Sequence, residues 1–319
     1  MLLKQLGYLV TLSREKHFGR AALACNISQP ALSGAIRSVE QELELTIVRR
    51  GQRFEGFTPE GEKVLAWARR MLADCEGMRQ ELRQEAGSPQ GTLRIGAIPT
   101  TISLIPLFTQ ECVRHLPRVR HQVHSLSTTE ILKRLESFEL DLGISYLDGS
   151  HGNNFDGISL FSEHYVFITR DEALLEGRSE ISVQDAAAQP LCMLTSDMHA
   201  RRSVDAFFQS FGISIAPVVE TDSIFALYAH VRCAGLCSIV PHSILCLEEM
   251  RQELSAVPLS PTLRREVGLI LLKQRQRSPV LKAATEHFLG MDLRSRVAGL
   301  GQYDIFDYGA AVRNDDKPA

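Results

Sequence analysis

The sequence predicts an α/β chain preceded by a small all-α head that carries a short hairpin. Three observations predict it. A polar break at Asn26-Ile27-Ser28 separates two helical segments. A heptad-like seam runs through residues 64–82. From Gly91 the apolar pattern changes to short strands alternating with helices, the rhythm of a sheet with crossover helices.

The head comes first. Residues Phe18–Cys25 (FGRAALAC) are short and alanine-rich, so a second helix can cross them closely. Asn26 tolerates the left-handed conformation of a sharp turn, and Ser28 supplies a capping hydroxyl for the helix that follows. Pro30 falls in the first turn, where a missing N–H costs little. Leu32, Ile36, Val39 and Leu43 then mark one buried stripe, which leaves Gln29, Ser33, Gly34 and Arg37 facing outward. A helix, a tight turn and an amphipathic second helix is the helix-turn-helix pattern, whose second helix enters the DNA major groove. Gln pairs with adenine, Arg with guanine and Ser with either, so Ser28, Gln29, Pro30, Ser33 and Arg37 form the candidate reading surface. A solvated polar face on an ordinary helical hairpin is the plainer alternative. Downstream, Ile47-Val48 and Phe54–Phe57 flank Gly51 as a hairpin, with Arg50 and Arg53 placed for phosphates or the minor groove. Thr58 and Pro59 then open another helix.

Residues 1 to about 90 resemble the N-terminal region of LysR-type transcriptional regulators. The resemblance is carried by Leu6–Val10 (LGYLV), Phe18–Ala22 (FGRAA), Ile27–Leu32 (ISQPAL) with Ser33, and Phe57–Gly61 (FTPEG), and it continues to about residue 290. Gly34 and Ala35 depart from the larger polar residues common there. The resemblance implies a winged helix-turn-helix at 1–58, a linker helix at 59–87 and a regulatory domain at 91–290 of the two-lobed, periplasmic-binding-protein-like kind. Lobe I would comprise 91–162 and 267–290, and lobe II 163–266. The implied partners are double-stranded promoter DNA, a small-molecule effector, a second copy of the chain and RNA polymerase.

Charge gives a weak signal. Residues 1–60 hold eight basic and six acidic side chains, a balance of +2, against a whole-chain net charge of −3. The placement of Arg37 and the wing therefore weighs more than the total. No apolar run approaches membrane-spanning length, and Arg14, Glu15 and Lys16 interrupt the only early one, so a cytoplasmic protein without a signal peptide is expected. Seven scattered cysteines argue against a disulfide framework. Cys233, Cys237 and Cys246 near His242 raise a redox-sensor alternative, but their spacing matches no zinc pattern.

Val64, Ala68, Met71, Cys75, Met78 and Leu82 repeat at spacings of 4, 3, 4, 3 and 4, a seam that would dimerise the chain and, by resemblance, lead to a tetramer. Gly87-Ser88-Pro89 reads as a hinge. Beyond it, hydroxyls cluster where strands give way to helices: Thr100, Thr101 and Ser103; Ser127, Thr128 and Thr129; Thr195 and Ser196, followed by His199 and Arg201. Helix N-termini with free N–H groups suit a small anion, Arg201 could pair with a carboxylate, and Val240 would supply a wall. Ser and Thr also cap helices everywhere, and for any single cluster that alternative stands equal; at three cleft positions of the family the ligand reading is favoured. No phosphate loop, HExxH, GxSxG or dinucleotide fingerprint occurs, so no catalytic or metal-ligating residues and no cofactor are expected. A cytoplasmic solute-binding protein is the remaining rival. The tail 291–319 carries no firm expectation.

Overall fold

The structure is a computed structural model that describes residues 1–50, 54–84, 89–149, 151–246, 253–273 and 277–293, with only the backbone for Arg50, Arg83, Gln84 and Cys246. The wing tip with Arg53, the Gly87-Ser88 breaker, the Cys246 side chain and the tail from residue 294 lie outside the described residues.

The head consists of α1 (Leu3–Glu15), α2 (Phe18–Ala24), α3 (Gln29–Glu42), β1 (Val48–Arg50) and β2 (Phe54–Phe57). Lys16, at φ 49°, ends α1, and the His17 imidazole then caps α2 by accepting from the Gly19 and Arg20 N–H groups at 3.0 and 3.3 Å. Asn26 takes the left-handed conformation at φ 54°, and the Ser28 hydroxyl accepts from Ala31 N–H at 3.3 Å. Leu32, Ile36 and Val39 close on Leu6, Leu9, Leu12, Ala21 and Ala22 in one core. The Glu40 carboxylate accepts from the Ile47 and Val48 N–H groups at 2.9 and 3.1 Å, which ties α3 to the wing.

Helix α4 (Pro59–Gln84) starts at Thr58, whose hydroxyl accepts from Gly61 N–H at 2.9 Å. A Cβ on Gly61 would sit 2.1 Å from Ile47 O, so only glycine lets this helix cross the wing. Leu65 and Ala68 complete the core of the head. Farther along, α4 leaves the head. Arg69 bonds Ser13 Oγ at 3.1 Å and Glu139 at 2.7 Å, which joins α1 to the regulatory domain.

That domain holds β3 (Gly91–Ala97), α5 (Ile105–His115), β4 (Val119–Ser125), α6 (Thr128–Glu136), β5 (Leu142–Tyr146) and the long β6 (Phe155–Thr169). These are followed by β7 (Ile181–Ser182), α7 (Val183–Ala187), β8 (Cys192–Leu194), α8 (His199–Gln209), β9 (Val219–Thr221), α9 (Ile224–Ala234) and β10 (Ser238–Pro241). Strands β11 (Ser255–Ser260) and β12 (Arg264–Leu272) and helix α10 (Pro279–Gly290) complete it. The segments after β3 and β10 begin as 3-10 turns, Pro99–Leu104 and His242–Cys246.

The sheet is mixed, not the purely parallel one that strands alternating with crossover helices imply. Strand β3 pairs in parallel with β4 and β5, but β12 runs antiparallel to both β5 and β6. The first part of β6 lies beside β12, and its last residues, Tyr165–Thr169, pair with β10 and β11. One strand thus serves two sheets, and the register of its partner β12 shifts between Val267 and Gly268. On one side of this crossing lies a core around Phe108, Tyr146, Phe161 and Phe288. On the other, lobe II fills two faces, one around Phe167 and Phe208 and one around Val166, Leu194 and Val231.

Candidate functional site

The reading surface is built by burying the opposite side of α3. Leu32, Ile36 and Val39 are fully buried, so Gln29, Pro30, Gly34 and Arg37 are exposed and Ser33 is half-buried. Nothing lies within 4 Å of where a Gly34 Cβ would be, which leaves the face open for a groove. Arg49 is exposed on β1, and the side chains of Arg50 and Arg53 lie outside the described residues.

The second site lies where the lobes meet. Thr100, buried in the turn after β3, brings its hydroxyl within 3.3 Å of the Tyr146 hydroxyl. Tyr146 reaches Tyr165 across the crossing strands at 3.2 Å. The His199 ring, at the start of α8, packs on Tyr146 at 4.9 Å, and its Nε2 meets Asp148 at 2.7 Å. Residues from lobe I and from lobe II therefore share one cluster. Ser103 donates to Ser243 O at 3.4 Å, and the Ser243 hydroxyl donates to Glu163 at 2.7 Å.

The other expected hydroxyls divide by what they already bond. Ser127 and Glu130 form a reciprocal cap, and these bonds hold the Glu130 carboxyl below its ordinary range. Thr128 pairs with Ser145 at 2.8 Å, and Thr101 donates to Ile98 O at 3.1 Å. Thr129 and Ser196 are exposed. The Thr195 hydroxyl is buried and has no hydrogen-bond partner among the described residues.

Two assignments change. Arg201 is buried, and its guanidinium is committed to Asp205 at 2.8 Å, Glu220 at 2.5 Å and Leu194 O at 2.8 Å, so it holds lobe II together. Val240 packs inside the second core of lobe II with Val166 and Leu194. The cation that does reach the interlobe cluster is Arg265, whose Nε donates to Ser203 Oγ at 3.3 Å, one turn beyond His199. Arg265 sits on β12, one of the two crossing strands that the resemblance implies, near residues 263–268, and its arrival here depends on the register of β12 against β6. Only its position at the polar start of that strand hinted at it.

Glu163 was likewise missed. It is fully buried, and burial pushes its carboxyl up to about 7. Tyr146 is raised by its own burial and then by Glu163. The His164 and His242 rings stack at 4.0 Å beside it, and burial lowers them to about 4 and about 3.

The described cysteines, Cys25, Cys75, Cys112, Cys192, Cys233 and Cys237, are free thiols. Cys192 N–H donates to Cys237 O at 2.8 Å, yet their side chains enter different cores. Burial raises both. Cys233 is exposed. Among the described residues no group of three or more His, Cys, Asp or Glu could hold a metal, and no helix is long and apolar enough to cross a membrane.

The comparisons agree with this architecture. Residues 3–62 match the bacterial regulatory helix-turn-helix protein, lysR family, and residues 86–291 match the LysR substrate binding domain. The DNA-binding transcriptional dual regulator OxyR of Escherichia coli K12 is 28% identical over 301 residues, 94% of this chain and 97% of the relative. A hydrogen peroxide-inducible genes activator of Pectobacterium carotovorum is 30% identical over 272 residues, 85% and 90% of the two chains. A full-length OxyR variant from Pseudomonas aeruginosa superposes with a TM-score of 0.71 at 23% identity, covering 92% of this chain and 99% of that one. Full-length CbnR in complex with its target DNA superposes with a TM-score of 0.64 at 19% identity, covering 90% and 99%. With a reading helix on a winged head and a two-lobed domain of the matching kind, this chain belongs to the LysR family of DNA-binding transcriptional regulators.

Proposed function

We propose that the cleft between the lobes binds a small anionic metabolite and that this binding sets how the reading heads engage promoter DNA. One observation carries the reading: the buried Thr195 hydroxyl is unpartnered at the strand-to-helix turn before α8, and Arg265 reaches the same helix. Thr100, Thr128 and the starts of α6 and α8 add donors without a full charge. The effector acts only by binding one lobe geometry better than another. In this reading the seam on α4 dimerises the chain, dimers pair into tetramers that contact RNA polymerase, no cofactor or catalysis is involved, and the protein works in the cytoplasm.

A thermal-shift panel of small metabolite anions on the full chain tests it. Thr195→Val keeps the shape, removes an unpartnered donor and leaves the effector-free protein as stable as the parent. It weakens the effector about tenfold if one hydrogen bond to a charged group contributes ~1.5 kcal/mol. Stabilisation by neutral apolar compounds alone, or parental response of Thr195→Val and Arg265→Gln, contradicts the site.

Relatives named hydrogen peroxide-inducible genes activators make peroxide sensing the second reading. Reactive thiols are exposed and have lowered pKa values; of the candidate thiols Cys233 is exposed, but Cys237 is buried and raised, so the effector reading is preferred. Unchanged DNA affinity after peroxide treatment is its expected outcome.

A further inference from the structure

Glu163 on β6 and Arg265 on β12 are directly opposed in the strand ladder, so both side chains leave the same face. Opposite charges so placed ordinarily pair. Here they turn apart: Arg265 goes to Ser203 Oγ on α8 and to Arg264 O, and Glu163 accepts from Ser243 in the turn after β10. Glu163 is 0% exposed, the Tyr146 hydroxyl also acts on its carboxyl, and its second oxygen, Oε1, is buried with no hydrogen bond of ordinary length among the described residues. Tyr146, Tyr165, Ser243 and the His164–His242 stack surround it, and burial holds both histidines neutral at neutral pH. A buried carboxylate without a cation is costly, and an acceptor oxygen left open on it is uncommon. The strand pair thus presents a separated positive and negative end, and between lobe I and lobe II they face one cluster.

We infer that the cleft ligand is a small zwitterionic amino acid, with its carboxylate on Arg265 and its ammonium group on Glu163 Oε1. This rests on the effector reading above and narrows it from any small anion. Each charge of the ligand meets the charge that the protein has left unmatched. A plain carboxylate satisfies only Arg265, and an amine only Glu163. Because the empty-site carboxyl titrates near neutrality, ammonium binding drives it to the ionised form. The proton leaves Glu163 for the buffer, and the ligand ammonium keeps its own.

Isothermal titration of the full chain with matched series tests this: L-alanine, L-lactate and propionate, then L-aspartate, L-malate and succinate. In one series the amino acid binds at least tenfold tighter than its hydroxy and plain counterparts. Titration at pH 7 in buffers of different ionisation enthalpy then reports proton release. Glu163→Gln brings the three members within about threefold of each other and abolishes the release, while Arg265→Gln weakens all of them. Equal binding of amino acid and plain carboxylate overturns the zwitterion but leaves the anion reading standing. Persistence of the tenfold gap or of proton release in Glu163→Gln also overturns it. Absence of binding by every member of both series overturns the zwitterion and weighs against the anion reading with it.

Discussion

Glu163 and its neighbours set a pH dependence whose sign follows from burial. An unfolded chain holds a glutamate near its ordinary value, whereas the folded site raises it to about 7. Folding therefore favours the protonated carboxyl, and that contribution is present in full below pH ~4.5 and is lost as pH rises toward 7. The histidines act in the opposite sense. His164 and His242 fall to about 4 and about 3, so their neutral burial supports the fold above pH ~6.5 and is lost as pH drops below it. Comparing variant with parent separates the two. The melting temperature of Glu163→Gln relative to parent rises between pH 5 and pH 8, by several degrees if a few kcal/mol are at stake. A difference that stays flat across that range rules out a buried, titrating Glu163. At the reading surface, Arg37 is exposed. Arg37→Ala is expected to relax base preference at one operator position by about 1–3 kcal/mol, read by binding to a set of single-base operator variants. Individual residues were unevenly legible. Ser28, Pro30 and Asn26 could be placed because caps and turns are local. Arg201 could not be told from Arg265, because which arginine faces a cleft depends on partners 19 residues away in one case and 62 in the other.

Helix α4 shows how far a period carries. The seam was read as one stripe, yet it does two jobs. Ala68 is buried against the head and Val64 packs beside it. Met71, Met78 and Leu82 stay exposed, as does Trp67. A heptad pattern records that apolar residues share a face and is silent on which body covers each turn. The exposed end is the part available to a second copy. Met78→Asp places a charge there, at an order-of-magnitude cost of several kcal/mol in a dimer seam. Sedimentation velocity should show a smaller assembly with the fold intact by circular dichroism. A sedimentation coefficient equal to that of the parent moves the dimer contact elsewhere. The strands were legible as α/β, and the family resemblance implied crossing strands near residues 162–168 and 263–268. The change of partner of β6 from β12 to β10 and β11 falls there. Strand β11 escaped notice because Pro258 breaks the usual strand composition.

At the scale of the molecule, named side-chain contacts join the head, linker helix and two lobes. Arg69 links α1 to Glu139 of lobe I, and the Tyr146–His199 and Ser103–Ser243 contacts link lobe I to lobe II. In the proposed reading, a ligand that adds bonds across the second set shifts the balance of lobe geometries, and the linker passes that shift to the heads. The central claim beneath this is that α3 reads specific promoter sequences. Its most direct test is sequencing of sheared genomic DNA retained by the purified full-length protein at a fixed salt concentration. Discrete promoter-proximal fragments that share an inverted repeat are expected, with half-sites about one helical turn apart or a multiple of it, and with that shared sequence lost in Arg37→Ala. Retention that follows fragment length alone, with no common sequence, would contradict it.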